Sequence, residues 1–434
     1  MNSPLPKPGH YNLTACILVN QETKNAIDLM GGPLSSFTVT ESINQNSMQF
    51  KADIHESISD AYSLLDGTEV LFCEWRSPAY VKELTPRRHV FRITNIGGLF
   101  FDPQTERYEY TIAGIDELCY DQEYNNIGTA YSDTITSIAD KIFNHALDNA
   151  IVELSEPESY KLKTDDTEGV VDLIIPNECP FKAIEYLRGY TYSSKHPSSQ
   201  FLFFQNKDGY NFRNIESLVT DGKSFLKSKV NRKMLSYTYA PAQQRVNTSD
   251  NIEMSYQIEN LIQFTKNNLY SDANIGAFHS CVNEIDYMFK DITVHEKKIN
   301  TTDYIGFDKK QIMPAKYLDT FNKEPTSTEY IYTDGFKTNR PNLAESINQK
   351  KLSSALFYSN MVQITVAGNS ELTAGQVINI TVPSRVITDR EPGAAYDLNE
   401  NLSGVYIIKD VQHIFVSGTY TSIATLVRSN YAGK

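Results

Sequence analysis

The sequence predicts a mainly β protein with α+β insertions. Three observations carry that expectation. The chain holds 27 Tyr and 21 Phe beside a single Trp, and these aromatics favour pleated, half-buried surfaces. Short runs with alternating polar and apolar residues recur near both ends, punctuated by Gly and Asp-Gly turns. The runs at the two ends also follow each other in the same order. At 434 residues the chain exceeds what one core usually holds, so about two to four domains are expected.

The first strands read in order. Tyr11 to Val19 forms a short strand, and Ser36 to Glu41 puts Phe37 and Val39 on one face. Gln49 to Ile54 groups Phe50, Ala52 and Ile54, and Asp66-Gly67 turns the chain into Val70 to Trp75. Val90 to Ile96 and Tyr108 to Ile112 alternate likewise. A set of short alternating strands with tight turns indicates a closed or strongly curved antiparallel sheet.

The period then changes. Ile135, Ile138, Ala139, Ile142, Phe143 and Ala146 recur at helical spacing, with Ser132 or Asp133 as the expected cap. Pro180 suits the first position of a second helix, with a Phe181, Ile184, Leu187 stripe and Gly189 expected at its C′ position. Phe201 to Phe204, then Asp208-Gly209 and Tyr210 to Phe212, read as a hairpin. Residues 225–262 return to strand-like alternation around a polar loop at Pro241 to Asn251, and residues 295–342 read as long polar excursions. Asn342-x-x-Glu345 opens a helix reaching about Tyr358. Four strands follow, Val362 to Val366, Gln376 to Val382, Val405 to Phe415 and Tyr420 to Arg428, with Ser417-Gly418 as the last turn.

These segments assemble into an expected domain plan. Residues 1–120 and 221–262 form a first barrel, and 121–220 an α+β insertion. Residues 263–296 and 343–434 form a second barrel, with 297–342 a long insertion serving as an interface. The first and last strand sets resemble each other in order and offset, the first match only loosely. Asp66 to Phe72 matches Thr373 to Asn379, His89 to Ile96 matches Gly404 to Val411, and Arg107 to Ala113 matches Thr419 to Thr425. Two look-alike barrels per chain let three chains present six similar units in a ring, with strands joined edge to edge across subunits.

Charge and chemistry narrow the function. The formal net charge of −13 disfavours tight duplex binding, which needs clustered cations. The one basic run, Lys223, Lys227, Lys229, Arg232 and Lys233, reads as a solvated strand face or an interface to an acidic partner. Five widely spaced cysteines without a Cys-x-x-Cys pair suggest buried free thiols in a reducing compartment. No segment approaches the ~20 apolar residues of a membrane span, and Met1 to His10 does not read as a signal peptide. His295-Glu296 and His55-Glu56 each lack the second histidine of a zinc-protease helix. No nucleophile elbow or phosphate loop occurs. Catalytic, cofactor-binding and metal-binding residues are therefore expected to be none.

The quoted segments in order resemble one family. Lys7 to Thr14, Phe37 to Ile43 with Met48-Gln49-Phe50, Pro180 to Leu187 with Phe201 to Phe204, and Leu372 to Ile378 with Tyr406 to His413 are similar to the baseplate central hub protein of T-even-type contractile-tailed phages. The resemblance implies two tail-tube-like antiparallel β-barrel domains with smaller domains attached, and a homotrimer forming a pseudo-hexameric ring. It implies a trimeric central spike protein below, tail tube or tube-initiator proteins above, and baseplate wedge proteins around. DNA enters only as passing cargo, and no membrane is involved. The implied location is the virion, with assembly in the host cytoplasm. Two other readings remain at this point: a tail-associated cell-wall hydrolase using a Glu/Asp pair, and a carbohydrate- or receptor-binding β protein using Tyr304, Tyr317, Tyr330 and Tyr332. Those tyrosines are expected to anchor the insertion to its own barrel or to a neighbouring chain.

Overall fold

The computed structural model describes residues 12–56, 62, 65–77, 86–104, 106–150, 160–193, 195–196, 198–228, 235–239, 256–265, 269–298, 323–333, 342–358, 360–384, 398–399 and 401–428. The first barrel comprises β1 (Asn12–Asn20), β2 (Ala26–Asp28), β3 (Leu34–Ser42), β4 (Gln49–Glu56), β5 (Glu69–Arg76), β6 (Arg87–Asp102) and β7 (Arg107–Asp116). Its order is β3-β4-β7-β6-β5-β1-β2, and every pair is antiparallel. Alternate residues turn inward, so Phe37, Phe50, Ile54, Trp75, Phe91 and Ile112 share one apolar core, as period-2 alternation requires.

An α+β body follows: α1 (Glu117–Gln122), β8 (Ala130–Asp133), α2 (Ile135–Asp148), β9 (Leu162–Thr164), β10 (Val171–Ile174), α3 (Pro180–Leu187), β11 (Phe201–Asn206), β12 (Gly209–Asn214) and α4 (Ile215–Phe225). The apolar stripes of α2 and α3 meet the β11–β12 hairpin in one core of Ile138, Phe143, Phe181, Phe203 and Tyr210. The cap of α2 is Thr134, not Ser132 or Asp133. Those two are committed to β8, where Ser132 pairs with Asp172 and Asp133 with Val171. Asp133 still serves the helix, accepting from the Ser137 hydroxyl and Lys141 Nζ at 2.7 Å each. Gly189 does not take a left-handed C′ conformation, because the chain continues beyond α3 as a 3-10 turn, Arg188–Tyr190.

The second barrel comprises β13 (Ser236–Thr238), β14 (Ile258–Thr265), β18 (Met361–Ala367), β19 (Val377–Thr381), β20 (Gly404–Val416) and β21 (Thr419–Arg428). Its order is β14-β18-β21-β20-β19-β13. A bridge from Thr238 to Gln257, with the Thr238 N–H donating to Tyr256 O at 3.0 Å, returns β13 to the start of β14. The Ser417-Gly418 turn has φ of 49° and 79°, the left-handed pair that tight hairpins need. Between β14 and β18 lie α5 (Leu269–Asn274), β15 (His279–Asp286), β16 (Asp291–Lys298), β17 (Ser327–Thr333) and α6 (Leu343–Tyr358). The three strands form a separate sheet, β16-β15-β17, with α6 against one face.

This corrects three boundaries. The strands within 221–262 belong to the second barrel, since β13 pairs with β19 and β14 with β18. Alternation marks a strand but not its partner, and the first barrel is already complete at β7. The 263–296 segment contributes β15 and β16 to the separate sheet rather than to the barrel. The 297–342 segment is not wholly irregular: Ser-Thr-Glu-Tyr-Ile-Tyr-Thr is β17, parallel to β15. Residues 215–225, at the edge of the expected return to strands, form α4.

The internal repeat appears in the strand order. β3-β4-β7-β6-β5-β1 corresponds term by term to β14-β18-β21-β20-β19-β13. The pairing registers correspond too. Val70 faces Arg92 where Val377 faces Ile407, and Leu71 faces Phe91 where Ile378 faces Tyr406. Each long hairpin carries a bulge at the same place: between Ile93 and Asn95 in β6, and between Ile408 and Asp410 in β20. A bulge is a specific one-residue insertion, so its coincidence is stronger evidence than shared strand texture. Two differences remain: β6 carries a further register shift between Gly97 and Phe100 that β20 lacks, and β1 meets β5 antiparallel while β13 meets β19 parallel.

Candidate functional surface

The barrels are joined by a strand pair. The second half of β20, Asp410 to Val416, lies antiparallel to Ser42 to Ser36 of β3. One continuous sheet therefore runs β14-β18-β21-β20-β3-β4-β7-β6 across both barrels.

A buried ionic cluster sits beneath this join. Arg87 Nη2 donates to Glu41 Oε1 at 2.5 Å, and Arg87 Nη1 lies 2.7 Å from His413 Nε2. The Thr373 hydroxyl and the Ala374 N–H both donate to Glu41 Oε2, the latter at 3.0 Å. Because guanidinium can only donate, Nε2 of His413 accepts, which puts the ring proton on Nδ1, 2.7 Å from the Tyr420 hydroxyl. Burial alone would raise the Glu41 carboxyl, but the Arg87 guanidinium and the Thr373 hydroxyl hold it below the ordinary range. Burial first, and Arg87 as well, lowers the His413 imidazolium. The cluster ties β3 and β6 of the first barrel to β20 and the loop before β19 of the second. Removing either Glu41 or Arg87 strands the other as a buried charge.

The face of the joined sheet opposite the barrel cores mixes polar side chains with partly exposed Ile414, Ile423 and Met361. Alternation places Ser36, Thr38, Thr40, Thr111, Gln363 and Thr421 there, all partly exposed. Asp53 on this face accepts from the Ser36 hydroxyl at 2.6 Å and the Thr111 hydroxyl at 2.9 Å, and pairs with Lys51 at 3.3 Å. The edges differ sharply. Among the described residues no strand pairs with β14 on the side away from β18, or with the later half of β6 on the side away from β7. Leu99, Phe100, Phe101, Ile262 and Phe264 are exposed along those edges.

The sequence-level site residues fall as follows. His55-Glu56 lies on β4 and His295-Glu296 on β16, so neither is helical. His295 pairs with Glu284 at 2.9 Å, and the Tyr110 hydroxyl donates to Glu56 at 2.6 Å. Among the described residues no group of three or more His, Cys, Asp or Glu is placed to hold a metal. Lys223 is on α4, not on a strand, and Lys227 follows the helix; Lys229, Arg232 and Lys233 lie outside the described residues. Tyr330 and Tyr332 stand exposed on β17 rather than against their own barrel, while Tyr304 and Tyr317 lie outside the described residues. The five cysteines are buried and free. A cleft of about 420 Å³ opens between α4 and β19, but its cations are paired in the wall: Lys207 with Glu371, Arg213 with Asp221 at 2.5 Å, and Lys163 with Asp208 at 3.7 Å. No helix among the described residues is long and apolar enough to cross a membrane. Sequence reasoning missed the Glu41–Arg87 cluster, whose members are far apart in the chain. The signal was a Glu and an Arg at otherwise strand-like positions.

No family model matches the chain, and no curated protein matches it. Solved structures do. The tail protein from Neisseria meningitidis MC58 aligns with a TM-score of 0.52 at 12% identity, covering 96% of this chain and 97% of that one. The 43 kDa tail protein of prophage MuSo2 from Shewanella oneidensis aligns at 0.49 and 11% identity, covering 96% and 98%. The first likeness shows a shared fold across nearly the whole chain.

Proposed function

We propose that this chain is a structural hub of a phage contractile-tail baseplate, in which three copies close a ring of six barrels. The ring adapts a three-fold central spike to a six-fold tail tube and continues the DNA channel. The observation that carries this reading is the duplication: two barrels with matched strand order, matched registers and a matched bulge. A duplicated unit turns three-fold into near six-fold symmetry without six chains. The fold shared with a tail protein supports the setting.

The joined sheet gives the ring its bore. Eight strands per chain become twenty-four in a trimer, more than the roughly 16–18 strands that already leave an aqueous channel in large barrels. Its mixed face of hydroxyls and aliphatic side chains, with Lys51 paired to Asp53, suits a passage for DNA because it offers little to hold phosphates. The chain acts without catalysis in this role. Its partners are the spike, the tube or tube-initiator proteins and the wedge proteins, and it is placed in the virion after assembly in the host cytoplasm.

Mass measurement of the full chain in solution and in the particle tests the reading. The expected species is three times 49.2 kDa. A strict monomer in the assembled particle, or an even-numbered oligomer, defeats it.

A further inference from the structure

We infer that Cys16 and Cys73 are an oxidisable pair, two thiols of the folded chain that close into a cross-strand disulfide stapling β1 to β5. The pair goes beyond the baseplate reading and does not depend on it. Cys16 of β1 lies directly opposite Cys73 of β5 in an antiparallel ladder, so both side chains leave the sheet on the same face. Both are 0% exposed and belong to the core of the first barrel. Opposite residues of such a ladder have Cα atoms about 4.5–5.5 Å apart, inside the range of about 4.4–6.8 Å that disulfides span. None of the other three cysteines faces a cysteine across a ladder. Cys281 on β15 lies opposite Glu296 and Thr328, Cys119 is on α1, and Cys179 is the cap of α3.

The surroundings decide how the pair behaves. Burial and then Asp28 push the Cys16 thiol up to about 12. Burial and then Cys16 itself raise Cys73 well above the ordinary thiol value. The thiolate is the reacting species, so both sulfurs are inert in the closed barrel and oxidation waits for β1 to lift. The strand is loosely held at that point. Among the described residues β2 pairs only with Ile17 to Val19, and the ladder to β5 shifts register between Leu13 and Ala15. The Cβ atoms of an opposed pair start about 4.5–5.5 Å apart and must draw in to about 3.5–4.5 Å; the irregularity beside Cys16 gives β1 that freedom. The oxidant is a small disulfide such as oxidised glutathione, met once the chain leaves a reducing compartment. One protein thiolate attacks it and expels a small thiolate. The second attacks the mixed disulfide at the protein sulfur and expels the other. Two protein S–H bonds and one small S–S bond thus become one protein S–S bond and two small thiols, which take up the two protons. The closed loop contains β3, the strand that joins the barrels, and it restrains the unfolded chain.

Thiol counting on the natural full chain tests the pair. The folded protein is held with oxidised glutathione, then unfolded in denaturant and labelled with a maleimide. Two fewer thiols than its five cysteines should label, intact mass should show no bound glutathione, and peptide mapping should find Cys16 linked to Cys73. The melting temperature should rise on oxidation and return on adding dithiothreitol. Cys16→Ser should abolish both the loss of thiols and the rise; where that variant does not fold, the peptide map of the natural chain decides. Five labelled thiols after prolonged oxidation, a chain that carries glutathione without closing, or a disulfide that joins other cysteines overturns the pair. Each of these outcomes leaves the three-chain reading untouched, because that reading is decided by mass alone.

Discussion

Glu41 is fully buried between the barrels, and its lowered pKa makes it a source of acid sensitivity. Its ionised form is favoured by folding, so its contribution is present at neutral pH and is lost as pH falls below the ordinary carboxyl value of about 4.3. The neutral histidines add to this. Burial, then Arg87, pushes His89 down to about 3, so the unfolded chain takes up a proton below roughly pH 6.5 that the folded chain refuses. Urea unfolding should therefore show stability falling steadily from pH 6.5 to 3, with a flatter profile in His89→Asn. Glu41→Gln should cost about 3–5 kcal/mol at pH 7 by leaving Arg87 unpaired; an unchanged urea midpoint contradicts the cluster's role. Glu216 behaves in the opposite sense. It is fully buried, with His196 Nδ1 3.8 Å from its Oε2, and burial, only partly opposed by the Ser198 hydroxyl, raises its pKa to about 8. Folding favours its neutral form, so its carboxyl opposes folding increasingly as pH rises from about 4.3 towards 8. Glu216→Gln should be the more stable protein at pH 8 and lose that advantage at pH 4; equal midpoints at both values would refute the assignment.

At the scale of elements, β20 does double service, and its bulge divides the two roles. Residues before the bulge close the second barrel against β19, and residues after it join the first barrel through β3. Ile408 sits at that division with no exposure. Ile408→Asp should bury an unpaired charge and prevent the second barrel from folding, which circular dichroism of the purified chain checks; soluble, fully structured variant protein would remove the assignment. α4 offers a finer test. A Cβ on Gly222 would lie 2.2 Å from Cγ2 and 2.5 Å from Cβ of Val377. Alanine gains about 1 kcal/mol of helix propensity over glycine, but overpacking costs about 1–3 kcal/mol, and branched Val377 on β19 cannot swing aside. Gly222→Ala should therefore lower the melting temperature, and a rise would mean that α4 slides freely. The same elements show what was legible beforehand. Strand positions and the repeat could be read because alternation and turn residues are local. The paired alignments, down to Ile93 with Ile408, match the registers observed. Partners could not be read. β13 and β14 look no different from first-barrel strands, and only the long-range pairings to β19 and β18 reveal where they belong. β17 escaped notice because polar segments on both sides mask seven alternating residues, and the exposed edges carry meaning only after the join of β3 to β20 is known.

At the scale of the whole molecule, the duplicated and unduplicated parts should carry different symmetries in the assembled ring. The barrels repeat twice per chain, so in the proposed ring three copies would place six nearly alike sheets around the axis. The α+β body between β7 and β13, and the β16-β15-β17 sheet with α6 between β14 and β18, occur once per chain. Each is inserted outside the joined sheet, so neither interrupts its strand order. The open face of the small sheet, with Ile292, Val294, Tyr330 and Tyr332 exposed, is likewise present once per chain. An axial electron-microscopic projection should then show near six-fold density at small radius giving way to three-fold density further out. The near six-fold part should itself alternate weakly, since β13 runs parallel to its neighbour where β1 runs antiparallel. Six-fold density at every radius would mean six chains rather than three, and three-fold density at the innermost radius would mean that the second barrel does not line the bore.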